Sequence, residues 1–395
     1  VINAESSEYN SAPQVLETLD FAEEVYIVDS TIRSLQSGVS GSHHTAQDLV
    51  EIGKALDSLG VRELIVNLSW KDGLQVCEGL AQENLNAKLV GTFRARHPLW
   101  EKWVSDGIDA GVDEICFESA PDAEYLRRAA DLVQGQGKTV SHGFAELYSY
   151  QEVVELCRTS VGCGYESQSF HDSFFRFGIT PEAIKFLIRS IKADVPACPP
   201  MYVHLSNFYG QATMTVIAAL TAGASAADVC MNGVGHHCGH TSLAEVVMVL
   251  EGLYKINTGI KVEKLREVSL LIRERTGIPM PIVEPVVGDY AFTTDGAYWA
   301  AEAELPYEER VHATFPFPPY VVGAKEQVIW SEKTITADSV GEKLTTMGLA
   351  HREGDIDRII ARLAEILGAG SNYPSWMPDA DFEVLCREVV TREKE

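Results

Sequence analysis

No apolar run in this chain approaches the ~20 residues that a membrane span requires. Basic side chains are few, 32 Lys and Arg against 57 Asp and Glu, and the formal net charge is −25. Such a surface repels polyanions, so neither nucleic acid nor an anionic membrane is expected as a partner, and solubility is the plain reading of the acidity. There are eight cysteines, but no Cys-x-x-Cys occurs, which argues against a structural zinc site of ordinary spacing. Several of them sit inside apolar, strand-like runs, the habit of reduced thiols, and a cytoplasmic protein is the expectation. The Gly-x-Gly-x-x-Gly turn of a dinucleotide-binding sheet is missing after the first strand, where the chain reads DSTIRSLQSG (29–38). No nucleotide or flavin cofactor is therefore expected. The first 24 residues are acidic and polar without a signal-peptide pattern, and the chain starts at Val1 without Met, as a trimmed chain would. Low-complexity tracts are absent.

What is present is length and rhythm. With 395 residues and 46% apolar content, the chain can bury one large core and a smaller appendage. From residue 24 onward strand and helix signals alternate. Strands are predicted at 24–33, 61–69, 88–95, 112–119, 138–146, near 164–173, at 201–206 and at 227–232, with an amphipathic helix pattern after each. Eight such units in about 230 residues is the arithmetic of a (β/α)8 TIM barrel, an α/β fold. The expected organisation is an N-terminal segment over 1–23, a barrel over 24–258 and C-terminal subdomains over 259–395. After 258 the pattern changes to a helix, a proline-punctuated extended segment and short helices near 338–348, 355–368 and 379–393. An appended region of this kind suits a homodimer.

The stretch from Met201 to Leu250 concentrates the polar groups. MYVHLSN places His204 and Ser206 two residues apart on a predicted strand, where both would leave one face. ADVCMN then feeds a Gly/His loop ending in His240. Polar groups at neighbouring strand ends are how a parallel barrel builds a site.

The motifs allow a resemblance to be stated. Asp29-Ser-Thr-Ile-Arg33 resembles the Asp-Thr-Thr-Leu-Arg of the DRE-TIM metallolyase superfamily, the HMG-CoA lyase-like or pyruvate carboxyltransferase domain. His204-Leu-Ser206-Asn207 with Tyr209-Gly210-Gln211-Ala212 is similar to its His-x-His motif and helix start. Asn232-Gly-Val-Gly235-His-His-Cys-Gly239-His240 is similar to its Asn-Gly-x-Gly-Glu-Arg-x-Gly-Asn loop. Glu284-Pro-Val-Val-Gly288-Asp-Tyr-Ala291-Phe292 and Val321-Val322-Gly323 resemble the isopropylmalate synthase and homocitrate synthase branch. The resemblance implies a Claisen-type condensation of an acyl-CoA with a 2-oxo acid. A divalent metal (Mg, Mn or Zn) would bind the oxo acid, and an arginine would stabilise negative charge on oxygen. No residues beyond 395 remain for the feedback-regulatory domain of isopropylmalate synthases, so none is expected.

The chain departs from that pattern at the metal. The acidic ligand after the arginine is Ser34, the second histidine of His-x-His is Ser206, and the usual asparagine is His240. Neutral hydroxyls are weak ligands for a hard dication. His204 and His240 with Asp29 form the candidate metal set; the alternative is a metal-free mouth in which Asp29 caps or hydrogen-bonds. In the synthase branch a histidine that assists acyl-CoA deprotonation follows Ala-Phe, and Tyr298 takes its place here.

Arg33, His204, His240 and Tyr298 are accordingly the candidate catalytic residues, and Ser34, Gln36, Arg94, Ser206, Asn232 and His236 the candidate substrate-binding residues. A buried arginine is costly unless paired or facing an anion, so Arg33 reads as an oxyanion or carboxylate clamp, or as the partner of Asp29 or Glu118. His171-Asp172-Ser173 reads as a structural strand end. Three functions follow: the condensation; an aldolase or lyase on the same scaffold acting without CoA and without metal; and a non-catalytic binding protein. The altered positions are polar rather than Ala, Val or Leu, which favours changed chemistry over lost chemistry.

Overall fold

The computed structural model describes residues 2, 6–38, 41–368 and 374–391. Eight parallel strands close into a barrel in chain order, the last pairing with the first. They are β1 (Tyr26–Asp29), β2 (Glu63–Asn67), β3 (Lys88–Arg94) and β4 (Glu114–Glu118). The remaining four are β5 (Thr139–Phe144), β6 (Gln168–His171), β7 (Met201–His204) and β8 (Ala226–Val229). Their near-continuous apolar runs are what a sheet buried on both faces needs. The interior is filled by a layer including Val28, Ile65, Val90, Cys116 and Tyr202. Helices between the strands are capped by local signals. Thr45 and Asp48 form a reciprocal capping box at Ala46–Leu59, and Gly60 ends that helix with a left-handed φ of 105°.

Three strand ends fall earlier than the sequence pattern implies. β1 stops at Asp29, and Thr31–Gln36 is a helix. The Asp29 carboxylate accepts from the Thr31 amide at 2.8 Å and the Thr31 hydroxyl at 2.9 Å, which turns the chain. β7 stops at His204, and Ser206 joins His240 in an isolated antiparallel bridge. β8 stops at Val229 and passes into a 3-10 turn at Met231–Gly233, with Asn232 at a left-handed φ of 56°.

The chain forms two compact units, residues 1–280 and 281–395. Helix Leu265–Thr276, assigned from sequence to the C-terminal region, packs on Ala46–Leu59 and so belongs with the barrel. The second unit has a three-stranded sheet in which Gln327–Trp330 lies between Thr293–Asp295 and Met377–Pro378. Its core gathers Trp330, Val340, Leu344, Ile359, Leu363 and Phe382. Trp330 stacks on Phe382 with ring centroids 4.0 Å apart. Lys343, buried in this unit, bonds Asp379 at 2.7 Å and Glu383 at 2.8 Å.

Candidate active site

Parallel register builds the first part of the site. His171 of β6 is the register partner of His204 of β7, which in turn partners Asp228 of β8. Three polar side chains therefore stand in a row at the carboxyl ends of adjacent strands, where barrels carry their chemistry. His204 Nδ1 approaches Asp228 Oδ1 to 3.1 Å, without the alignment of a hydrogen bond. His171 Nε2 meets Ser169 Oγ at 3.0 Å. Gly143 on the neighbouring strand leaves the space: a Cβ there would lie 2.9 Å from Ser169 Oγ and 3.1 Å from His171 Nε2.

Arg33 supplies the charge. It lies on the Thr31–Gln36 helix, not on a strand end, and its Nη2 donates to Glu118 Oε1 at 2.8 Å. Glu118 is buried and also accepts from Thr92 Oγ1 at 3.0 Å. Burial works against its charge, but Arg33, His171 and the Thr92 hydrogen bond prevail and hold its carboxyl at about 2. Arg33 is likewise penalised by burial, and Glu118, Asp228 and Asp172 outweigh that penalty and push its pKa up. Its Nε is buried without a hydrogen-bond partner.

Opposite stands His240. Ser34 Oγ lies 3.1 Å from its Nδ1 and 3.3 Å from Cys230 Sγ. Burial, with the positive neighbours His204 and Arg33, lowers the His240 pKa far below the ordinary value, so the ring is neutral. His171 is held near 4, chiefly by burial. The His204 and His240 rings meet edge to face, 4.3 Å apart. Gly235 makes room for His240, because a Cβ at that position would fall 2.3 Å from the ring.

These groups line one cavity of about 260 Å³, with Arg33, Ser34, Glu118, His171, His204 and His240 in its wall. Arg94 and His236 line it too, so most of the residues singled out from sequence do converge. Others are spent elsewhere. Gln36 accepts from the Asn67 amide at 2.9 Å and donates back to its carbonyl at 3.4 Å, clamping the end of β2 outside the cavity. Asn232 donates to the Ser269 carbonyl at 3.0 Å, tying its loop to Leu265–Thr276. Ser206 donates to Asp172 and does not line the cavity. The period-2 argument that joined it to His204 fails because the strand ends between them. Tyr298 belongs to the second unit, on helix Gly296–Ala301, with 57% of its surface exposed.

Asp29, His204 and His240 do not make a metal site. Both Asp29 oxygens are occupied by Thr31, and burial raises its pKa to about 7. Among the described residues no group of three His, Cys, Asp or Glu side chains is placed to hold an ion. The donors left over are imidazoles beside the Arg33 guanidinium, whereas a hard dication needs anionic oxygen. The residues present do not fit the divalent metal that the motifs imply.

Sequence reasoning undervalued His171 and Asp172 and did not single out Asp228 at all. The available signal was positional: each is the last or next-to-last polar residue before its strand ends. Pairing them, however, required the register.

The comparisons with known proteins agree with this construction. Across 406 residues the chain is 27% identical to a 2-isopropylmalate synthase of Methanocaldococcus jannaschii, covering 95% of this chain and 74% of the relative. It is 25% identical over 395 residues to the homocitrate synthase AksA of the same organism, covering 93% and 92% respectively. Among solved structures, an HMG-CoA lyase of Acinetobacter baumannii in complex with coenzyme A and 3-methylmalate superposes with a TM-score of 0.54 at 17% identity. That match covers 65% of this chain and 92% of the other, and shows the barrel fold. The family model described as HMGL-like matches residues 24–272, most of the length and every strand of the barrel, and the chain belongs to the HMGL-like family.

Proposed function

We propose that this barrel forms a carbon–carbon bond between an acyl-CoA and a 2-oxo acid. The relatives named as synthases support that reaction class, as does the lyase of the same fold that binds coenzyme A. The observation that carries the proposal is the Arg33 guanidinium, fixed by Glu118 on one side, with an unspent buried Nε on the other. A donor held this way suits negative charge that develops on oxygen during reaction.

The remaining roles follow from the pairing around the cavity. Asp228 faces Nδ1 of His204, so His204 can take a proton from the α-carbon of the acyl group through its other nitrogen. The carbanion then bonds to C2 of the oxo acid. The electron pair of that carbonyl moves to oxygen, where Arg33 and the neutral His240 donate hydrogen bonds. If Ser34 donates to His240 Nδ1, the hydrogen of that ring resides on Nε2. Water cleaves the thioester, releasing the CoA thiol and a hydroxy diacid. To test this, the protein is incubated with acetyl-CoA and a panel of 2-oxo acids while free thiol is followed. Thiol release that needs both substrates is expected. Cleavage of a hydroxy-oxo acid without CoA, with no thiol released by any acid, would overturn the condensation in favour of a lyase.

A further inference from the structure

The cavity has a polar floor and an aromatic rim, and the rim sets the class of acid. Four rings follow one another along the mouth: Trp70 to His236 at 6.3 Å, His236 to His237 at 6.0 Å, and His237 to Phe177 at 6.1 Å. All four line the cavity. Phe208 backs this arc, 5.2 Å from His237 and 5.7 Å from Phe177.

Two of these rings are held by unfavourable backbone. Phe177 has φ 62° and His237 φ 57°, both in the left-handed region that bulky residues avoid. Strain of this sort persists where surrounding structure imposes it, and it gathers at ligand clamps. Phe177 is nevertheless 44% exposed, so its ring does not serve a buried core.

Charge around the cavity points the same way. Its cations are Arg33 and Arg94, and its anions are Glu118 and Asp172. Glu118 already neutralises Arg33, and Arg94 lies 3.6 Å from Glu146. His171, His236 and His240 all have lowered pKa values, burial being the first cause in each, and add no positive charge. One carboxylate can share Arg94 or Arg33; a second would enter with no free cation to meet it.

We propose, resting on the condensation reading above, that the 2-oxo acid of this site is a monocarboxylate with a planar aromatic side chain, which stacks along the Trp70–Phe177 arc. The ring would gain apolar burial and edge-to-face contacts there, and the carboxyl and keto groups would lie toward the arginines.

The test is binding measured by calorimetry on the full chain without any CoA, using phenylpyruvate, pyruvate and 2-oxoglutarate as probes. Phenylpyruvate is expected to bind at least tenfold tighter than either of the others. Phe177→Ala and Trp70→Ala, each checked for folding by circular dichroism, should reduce that preference to less than threefold. Equal or tighter binding of pyruvate or 2-oxoglutarate, no binding of phenylpyruvate, or a preference that survives both substitutions would overturn the proposal. The two readings fail separately. Phenylpyruvate that binds but never supports thiol release counts against the condensation alone. Thiol release with 2-oxoglutarate, and no phenylpyruvate binding, counts against the aromatic acid alone.

Discussion

At the scale of single residues, the site depends on pairing. Arg33→Lys keeps the charge but loses the planar fork that engages Glu118 and leaves Nε free. Turnover in the thiol-release assay should fall by about 10²–10³-fold, while the melting temperature stays near that of the unaltered protein. Full activity in the lysine variant would remove Arg33 from the chemistry. Glu118→Gln is different in kind, because it strands a buried guanidinium. A loss of about 3–5 kcal/mol is expected in urea unfolding, the usual cost of breaking one side of a buried pair. Gly235→Ala tests placement without touching a functional group: the added Cβ would overlap the His240 ring at 2.3 Å, so the ring must shift. Activity should drop with little change in stability, and a crystal structure of the variant would show the His240–Ser34 contact lengthened.

At the scale of elements, the two ends of the barrel have opposite electrostatic characters. The carboxyl ends of the strands hold paired charges, whereas the amino ends of β2 and β4 hold a strained acidic pair. Glu63 and Glu114 are both buried, and Oε2 of the first and Oε1 of the second have no hydrogen-bond partner. Lys88 pairs with Glu114, but burial and then the Glu114 charge push Glu63 up to about 8. An unfolded glutamate titrates at about 4.3. The folded state thus binds the Glu63 proton more tightly than the unfolded state does. That contribution to stability is complete below the unfolded pKa and is lost as pH rises through 8. Glu63→Gln should therefore stabilise the protein relative to its parent, increasingly from pH 5 to pH 9, in parallel denaturation curves. A constant difference across that range would show that the Glu63 pKa is not raised. Glu118 contributes the reverse slope: its depressed pKa gives stability that is present above about 4.3 and lost as pH falls towards 2.

At the scale of the whole molecule, residues 281–395 carry a core of their own around Trp330, which packs on Phe382 and donates through Nε1 to Asp379 at 2.8 Å. Trp330→Ala should cost about 3–5 kcal/mol within that unit while the barrel remains protected, which amide hydrogen exchange can resolve region by region. Loss of protection spread evenly over the barrel would show that the two units do not unfold separately. The barrel itself was legible in the chain, because buried parallel strands must be apolar and helices between them must be amphipathic, and both periods survive in the linear sequence. Ser34, Ser206 and His240 likewise stood out as altered positions from their motifs alone. What the sequence could not supply was the partner of each group. The Asp29–Thr31 turn ends β1 early and puts Arg33 on a helix facing Glu118, 85 residues away. Register alone sets His171, His204 and Asp228 side by side. Gln36 and Asn232 satisfy backbone groups instead of substrate for the same reason: a buried donor or acceptor takes whichever partner the packed chain brings within 3 Å or so, and that distance exists only in three dimensions.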